Sequence, residues 1–166
     1  FIISKEEISL FTTRDGWHLL TSPLGNDMLI DDIFDPLPEY IYNFDPENDE
    51  LYYTGNIDSD EGIYLKYEQQ LSASFSGPAI TEPHTIIVNS GWNLIGNPLV
   101  SNIRVDSILV NGLNWYEAAE NGIISPVPIG FDNGDATHKG IDDLLLGDGF
   151  WMHSFQDNIE VIFSPH

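Results

Sequence analysis

One block of this chain is written twice. Gly16-Trp17-His18-Leu19-Leu20-Thr21-Ser22-Pro23-Leu24 reads like Gly91-Trp92-Asn93-Leu94-Ile95-Gly96-Asn97-Pro98-Leu99, 75 residues further on. At the same interval Ile30, Ile33 and Phe34 fall on Val105, Ile108 and Leu109. Later, Glu61-Gly62-Ile63-Tyr64-Leu65 matches Asp148-Gly149-Phe150-Trp151-Met152 at an interval of 87, so the second copy holds 12 more residues. The copies close on Leu71-Ser72-Ala73-Ser74-Phe75-Ser76 and Ile159-Glu160-Val161-Ile162-Phe163-Ser164. Four matched blocks in one order read as a tandem duplication, 1–80 and 81–166. A unit of about 75 residues is small for a core of its own. The two units are therefore expected to pack face to face, or to exchange strands, about a pseudo-twofold axis.

Inside each copy the pattern is mostly period two. Ile8, Leu10 and Thr12 alternate with polar neighbours, and Thr85 to Val88 is a β-branched run. Trp17–Leu20, Tyr40–Phe44, Leu51–Tyr53, Ile63–Tyr67 and Leu71–Phe75 read as strands. Their expected counterparts are Trp92–Ile95, Asn114–Glu117, Ile123–Ser125, Phe150–Ser154 and Ile159–Phe163. Pro46-Glu47-Asn48-Asp49, Gly55-Asn56, Asn111-Gly112, Asn121-Gly122 and Asn133-Gly134 supply the turns. Helical spacing is confined to Ile30/Ile33/Phe34, Val105/Ile108/Leu109 and Ile141/Leu144/Leu145, each too short for an independent helix. The expected fold is all-β: two pseudo-symmetric repeats packed as a sandwich or barrel, with short helical turns.

The motif residues have structural readings. Gly before Trp permits a turn or bulge, Pro23 and Pro98 end a strand, and Ser22 or Asn97 turns the chain with a side-chain hydrogen bond. Trp17 and Trp92, matched in both copies, are expected in the core. Trp151, after Gly149, aligns with Tyr64 and has the same structural reading. Trp115 is different. Aligning Leu51 with Ile123 sets Trp115 on Asn43 and Tyr116 on Phe44. The polar Asn43 marks that strand face as wet. Trp115, with Tyr116, is then a candidate exposed aromatic for stacking on a sugar ring. The alternative is that Trp115 covers the longer loop of the second copy.

Charge narrows the partners. Five Lys and Arg stand against 27 Asp and Glu, a formal charge of -22. Such a field repels nucleic acid and anionic membrane surfaces. No apolar run is long enough to cross a bilayer as a helix. The absence of Cys excludes disulfides and thiolate chemistry. Residue 1 is Phe and no signal peptide precedes it, so a fragment or processed chain is expected. Acidic clusters make calcium the one metal to consider, with Asp58, Asp60, Asp132 and Asp135 as candidate ligands. Asn56-x-Asp58-x-Asp60 starts like an EF-hand loop, but Glu61 takes the glycine position and Tyr67 the twelfth. The histidines lack zinc-protease spacing, and no nucleophile elbow, P-loop or dinucleotide fingerprint occurs.

The block Gly91-Trp92-Asn93-Leu94-Ile95-Gly96-Asn97-Pro98, followed by Gly147-Asp148-Gly149-Phe150-Trp151, resembles the "GWNLIGNP … GxGFW" β-rich modules of large secreted and cell-surface proteins of Bacteroidetes, many of them type IX secretion cargo. The second copy matches from about Ile86 to Phe163; the first lacks the Gly-Asn and has Gly62-Ile63-Tyr64 for Gly-Phe-Trp. The resemblance implies secretion or surface display and a modular, non-catalytic role, with no catalytic residues to carry over. The expected function is a structural or adhesive module acting on a protein or glycan partner. The alternative is a carbohydrate-binding module built around Trp115.

Overall fold

In the computed structural model, described over residues 5–11, 15–35, 37–58, 60–68 and 72–165, strands take up 51% of the described residues and helices 9%, which makes the class all-β. Thr12 and Leu71 lie outside the described residues. The first half runs β1 (Lys5–Phe11), β2 (Gly16–Thr21), β3 (Met28–Leu29), α1 (Ile30–Ile33), β4 (Tyr40–Asp45), β5 (Glu50–Tyr53), β6 (Asn56–Ile57), β7 (Gly62–Tyr67) and β8 (Ser72–Pro78). The second runs β9 (His84–Val88), β10 (Gly91–Gly96), β11 (Ile103–Arg104), a 3-10 turn (Val105–Ser107), β12 (Leu109–Val110), β13 (Leu113–Asn114), α2 (Trp115–Glu120), β14 (Ile129–Asp132), β15 (Thr137–Gly140), β16 (Asp143–Leu144), β17 (Gly149–Ser154) and β18 (Ile159–Phe163).

The sheets are antiparallel, and none closes into a barrel. A four-stranded sheet in the first half has the order β2-β7-β4-β5; one in the second has β10-β17-β14-β15. Smaller pairings follow the same scheme: β3 with β6 and β11 with β16, β1 with β8 and β9 with β18. The second half adds β12 and β13 beside β18.

Each half buries its own apolar cluster. Leu24, Ile30, Ile33, Leu65 and Phe75 belong to the first; Leu99, Val105, Ile108, Met152 and Phe163 belong to the second. Each of these ten side chains is almost wholly removed from water. A buried side chain of this size contributes about 1.5–3 kcal/mol. The short helical turns place three of these residues: α1 buries Ile30 and Ile33, and the 3-10 turn buries Val105. Pro23 and Pro98 follow the ends of β2 and β10. Beside them the Leu24 amide donates to Ser22 Oγ at 3.3 Å, and the Leu99 amide to Asn97 Oδ1 at 3.0 Å. Gly16 and Gly91 enter their strands at φ of +101° and +100°, a region that a side chain would strain.

The halves meet along a seam. Leu20 bridges Asp148, and Ile95 bridges Glu61. The Thr21 amide donates to the Gly147 carbonyl, and the Asn97 amide to the Asp148 carbonyl, both at 2.9 Å. A Cβ on Gly62 would stand 2.9 Å from the Ile95 carbonyl oxygen; one on Gly149 would stand 3.0 Å from that of Leu20. At the centre Gly96 lies so close to Thr21 that a Cβ there would fall 2.2 Å from the Thr21 side chain.

Three expectations need correction. Asn114–Glu117 is not a strand. Asn114 caps α2: its side chain accepts from the Glu117 amide, while the Glu117 carboxylate accepts from the Asn114 amide. Trp115 is therefore the first residue of a helix and is fully buried, its Nε1 donating to the Pro126 carbonyl at 3.0 Å. The strands that stand where β4 and β5 stand are β14 and β15, so the extra residues lie before Ile129 rather than after Ile123. Asn43, whose polarity marked a wet face, is buried; its amide donates to Glu61 Oε2 at 2.5 Å. The Ile141/Leu144/Leu145 spacing forms no helical turn; Asp143 and Leu144 pair with β11 as β16.

Candidate aromatic groove

Alternation along the strands gives the β2-β7-β4-β5 and β10-β17-β14-β15 sheets two apolar faces. On β7, Ile63, Leu65 and Tyr67 enter the first core, which leaves Tyr64 on the other face. On β17, Phe150 and Met152 enter the second core and leave Trp151. Leu19, Tyr64 and Leu94 are buried together as a third cluster that joins the halves. Trp17, Tyr42, Phe44, Phe131 and Trp151 pack against it.

Tyr64 and the rings packed against this cluster line an open groove of about 680 Å³. The first half lines it with Trp17, Tyr42, Phe44, Asp49, Leu51 and Tyr64; the second lines it with Trp92, Ile129, Phe131, Ala136, His138 and Trp151. These twelve residues fall into six pairs. Trp17 and Trp92 are 75 residues apart. Tyr42 and Ile129, Phe44 and Phe131, Asp49 and Ala136, Leu51 and His138, Tyr64 and Trp151 are each 87 apart. Those are the two intervals that relate the sequence blocks. Asp49 and Ala136, each at the end of a turn, have φ of 52° and 53°.

The walls are aromatic, and rings touch ring to ring. Phe44 meets Trp151 edge-on with centroids 4.7 Å apart, and Trp92 meets Trp151 edge-on at 6.3 Å. Trp17 contacts Tyr42, and both contact Tyr40. Trp92 is 43% exposed. The core assignment of Trp92 is thus overturned, and Trp17 is only half-buried. Both sit on the sheet face that looks at the other half, not the face that looks into its own core.

The polar groups of the floor are bonded to one another across the halves. Trp151 Nε1 donates to Tyr64 Oη at 2.5 Å. Indole N–H has no acceptor role, so the Tyr64 proton is left for His138 Nε2, 2.7 Å away. Burial pushes the Tyr64 hydroxyl above its ordinary value, opposed by the Trp151 hydrogen bond, so it stays protonated and able to donate. Among the described lining residues Asp49 supplies the only carboxylate, and there is no Lys or Arg.

The other candidate residues lie elsewhere. Trp115 packs against Phe150 inside the second core, where it also covers the longer segment of that half through its bond to Pro126. That removes it from any ligand surface. Tyr116 is exposed on α2, its hydroxyl 3.4 Å from Asp142. The four proposed calcium ligands do not converge. Asp58 accepts from the Asn56 amide, and Asp60 lies 2.5 Å from His84 Nε2. Asp132 and Asp135 share the Lys139 ammonium at 2.9 and 2.5 Å, so a cation already stands between them. Among the described residues no group of three or more His, Asp or Glu is arranged to hold a metal ion.

Sequence reasoning missed Tyr42, Phe44, Phe131 and His138 as lining residues. The signal was the interval of 87 carried back from Trp151, which sets Phe131 on Phe44. No protein-family model matches the chain, and no curated protein or solved structure is significantly similar to it.

Proposed function

We propose that the chain is a duplicated, non-catalytic interaction module whose ligand site is the groove where its two copies face each other. One observation carries this: all twelve lining residues belong to matched pairs, and most are aromatic. A contact surface between two copies that served packing alone would close over its rings. Here Trp92 is left 43% exposed beside a cavity within the size range of small-molecule and side-chain pockets, about 300–1,000 Å³. The duplication is supported by the shared strand orders and by the paired bridges Leu20–Asp148 and Ile95–Glu61. Export to the cell exterior is part of the proposal and rests on the resemblance of the Gly91–Pro98 block. No helix among the described residues is long and apolar enough to cross a membrane.

A neutral apolar fluorophore such as N-phenyl-1-naphthylamine tests the site. It should bind the protein with one-to-one stoichiometry, and Trp92→Ala with Trp17→Ala should abolish binding while leaving the far-UV spectrum intact. Undiminished binding in that double variant would place the ligand site elsewhere. Protease shaving of intact cells that carry the natural protein tests export; a protected epitope would refute it. A glycan-binding reading keeps one observation in its favour, the exposed Trp92 ring, since sugar rings stack on such faces. Soluble oligosaccharides that protect Trp92 from quenching by iodide would favour it.

A further inference from the structure

We infer that the groove recognises an organic cation: an alkylated, above all quaternary, ammonium group on a small apolar body. The inference rests on the groove being the ligand site and names what that site selects. Trp17, Tyr42, Tyr64, Trp92 and Trp151 line the groove with aromatic rings, whose π faces are negative, and a cation within about 6 Å of such a ring face is attracted by it. The described lining carries one carboxylate, that of Asp49, and no Lys or Arg. Behind it stands a chain of formal charge -22, whose summed field concentrates cations in a low-dielectric cleft.

The hydrogen bonds of the floor weigh against the competing chemistries. Trp151 Nε1 and the Tyr64 hydroxyl are used by each other and by His138. A sugar or a peptide backbone would bury hydroxyl or amide groups against a wall that offers them few partners, and each unpaired group is costly. A quaternary ammonium asks for no hydrogen bond; its charge is spread over methyl groups that also want an apolar surface. The protein itself sets a cation on the adjoining rings. Lys66 Nζ lies 5.7 Å from the centroid of Tyr40, which stacks on Trp17.

The test is a pair of ligands that differ in charge alone. Choline and its neutral isostere 3,3-dimethylbutan-1-ol have the same shape, and three of the four tryptophans lie in the groove, so intrinsic fluorescence reads occupancy. Choline should bind about tenfold or more tighter than the isostere, as expected for a desolvated cation–π site. Its affinity should fall with added NaCl. Trp92→Ala should weaken choline about tenfold or more, and Asp49→Asn severalfold. Asparagine tolerates the left-handed backbone at position 49, so that variant keeps its turn. Equal affinity for choline and the isostere would overturn the inference while leaving the groove as an apolar site. Failure of the apolar fluorophore and of both ligands to bind would remove the site and the inference together. Chitooligosaccharides that bind competitively and more tightly than choline would overturn it in favour of a glycan.

Discussion

Replacing Asp148 by asparagine should stabilise this protein at neutral pH. Asp148 lies on the seam, half-buried, with its Oδ2 accepting from the Leu145 amide at 2.9 Å. Burial pushes its carboxyl up from 3.8 to about 6, against the pull of that hydrogen bond. The folded state therefore takes up a proton before the unfolded state does. Stability rises as pH falls from about 6 toward 3.8 and is reduced at every pH above that window. A rise of about two pH units corresponds to about 3 kcal/mol at most. Water reaches part of the carboxylate, so about 1–2 kcal/mol is the working figure. The asparagine side chain would keep an acceptor for the Leu145 amide and carry no charge. In a chain of this size that gain is a rise of about 2–8 °C in Tm. The assay is thermal melting of the parent and Asp148→Asn from about pH 7.5 to about pH 4.5, a range that brackets the raised carboxyl. The variant should lead at the upper end, and the two curves should converge at the lower. Glu61 is also raised, chiefly by burial, and acts in the same direction in both proteins. Taking the difference between the two proteins cancels its share and that of the general charge repulsion. A variant no more stable than the parent at neutral pH, or a gap that does not close on acidification, would refute the argument.

Other outcomes follow from the packing. Trp115→Ala should cost about 3–5 kcal/mol in urea denaturation, because it empties a sealed core site and orphans the Pro126 carbonyl; Trp92→Ala should cost within about 1 kcal/mol. Equal losses would contradict the facing of the two rings. Gly149→Ala should cost about 1–3 kcal/mol, since its methyl meets the Leu20 carbonyl and the Leu19 side chain across the seam; a neutral result in the same assay would mean the seam yields easily. Millimolar calcium should raise Tm no more than magnesium at equal ionic strength, because Lys139 already bridges Asp132 and Asp135; a calcium-specific rise lost in Asp132→Ala would overturn that.

Many of the strands and their ends were legible in the sequence because they depend on local patterns; that each half buries a cluster of its own was not, since each seemed too small for one. Period two located β2, β7, β10 and β17, the Pro positions closed two of them, and the i, i+3 spacing of Ile30 and Ile33 gave α1. What pattern could not decide was which of two apolar faces looks outward. On β7 every residue from Ile63 to Leu65 is apolar, so Tyr64 reads as core wherever it points. Trp17 and Trp92 both line the groove; under the proposed duplication, a position kept alike in two facing units serves their contact as readily as their interiors. Trp115 was misplaced for a different reason. Asn114 and Glu117 form a capping box, and that signal was outweighed by two adjacent aromatics that look like a strand. Asn43 misled because a buried amide can be satisfied by one carboxylate, Glu61, distant in sequence.

Thr21 and Gly96 have a consequence for how such a chain can arise. Under the proposed duplication the two occupy the same position of their copies, and they meet at the centre of the seam. Two separate identical chains would bring threonine against threonine there, which overfills the space, or glycine against glycine, which leaves it hollow and loses the bond from Thr21 Oγ1 to the Glu61 carbonyl, 2.7 Å long. One continuous chain can put the bulky residue on one side and the small one on the other. The departure of the first copy from Gly-Asn-Pro is then a fitted half of an unequal pair rather than erosion of the motif, and neither half alone would make a well-packed dimer of itself.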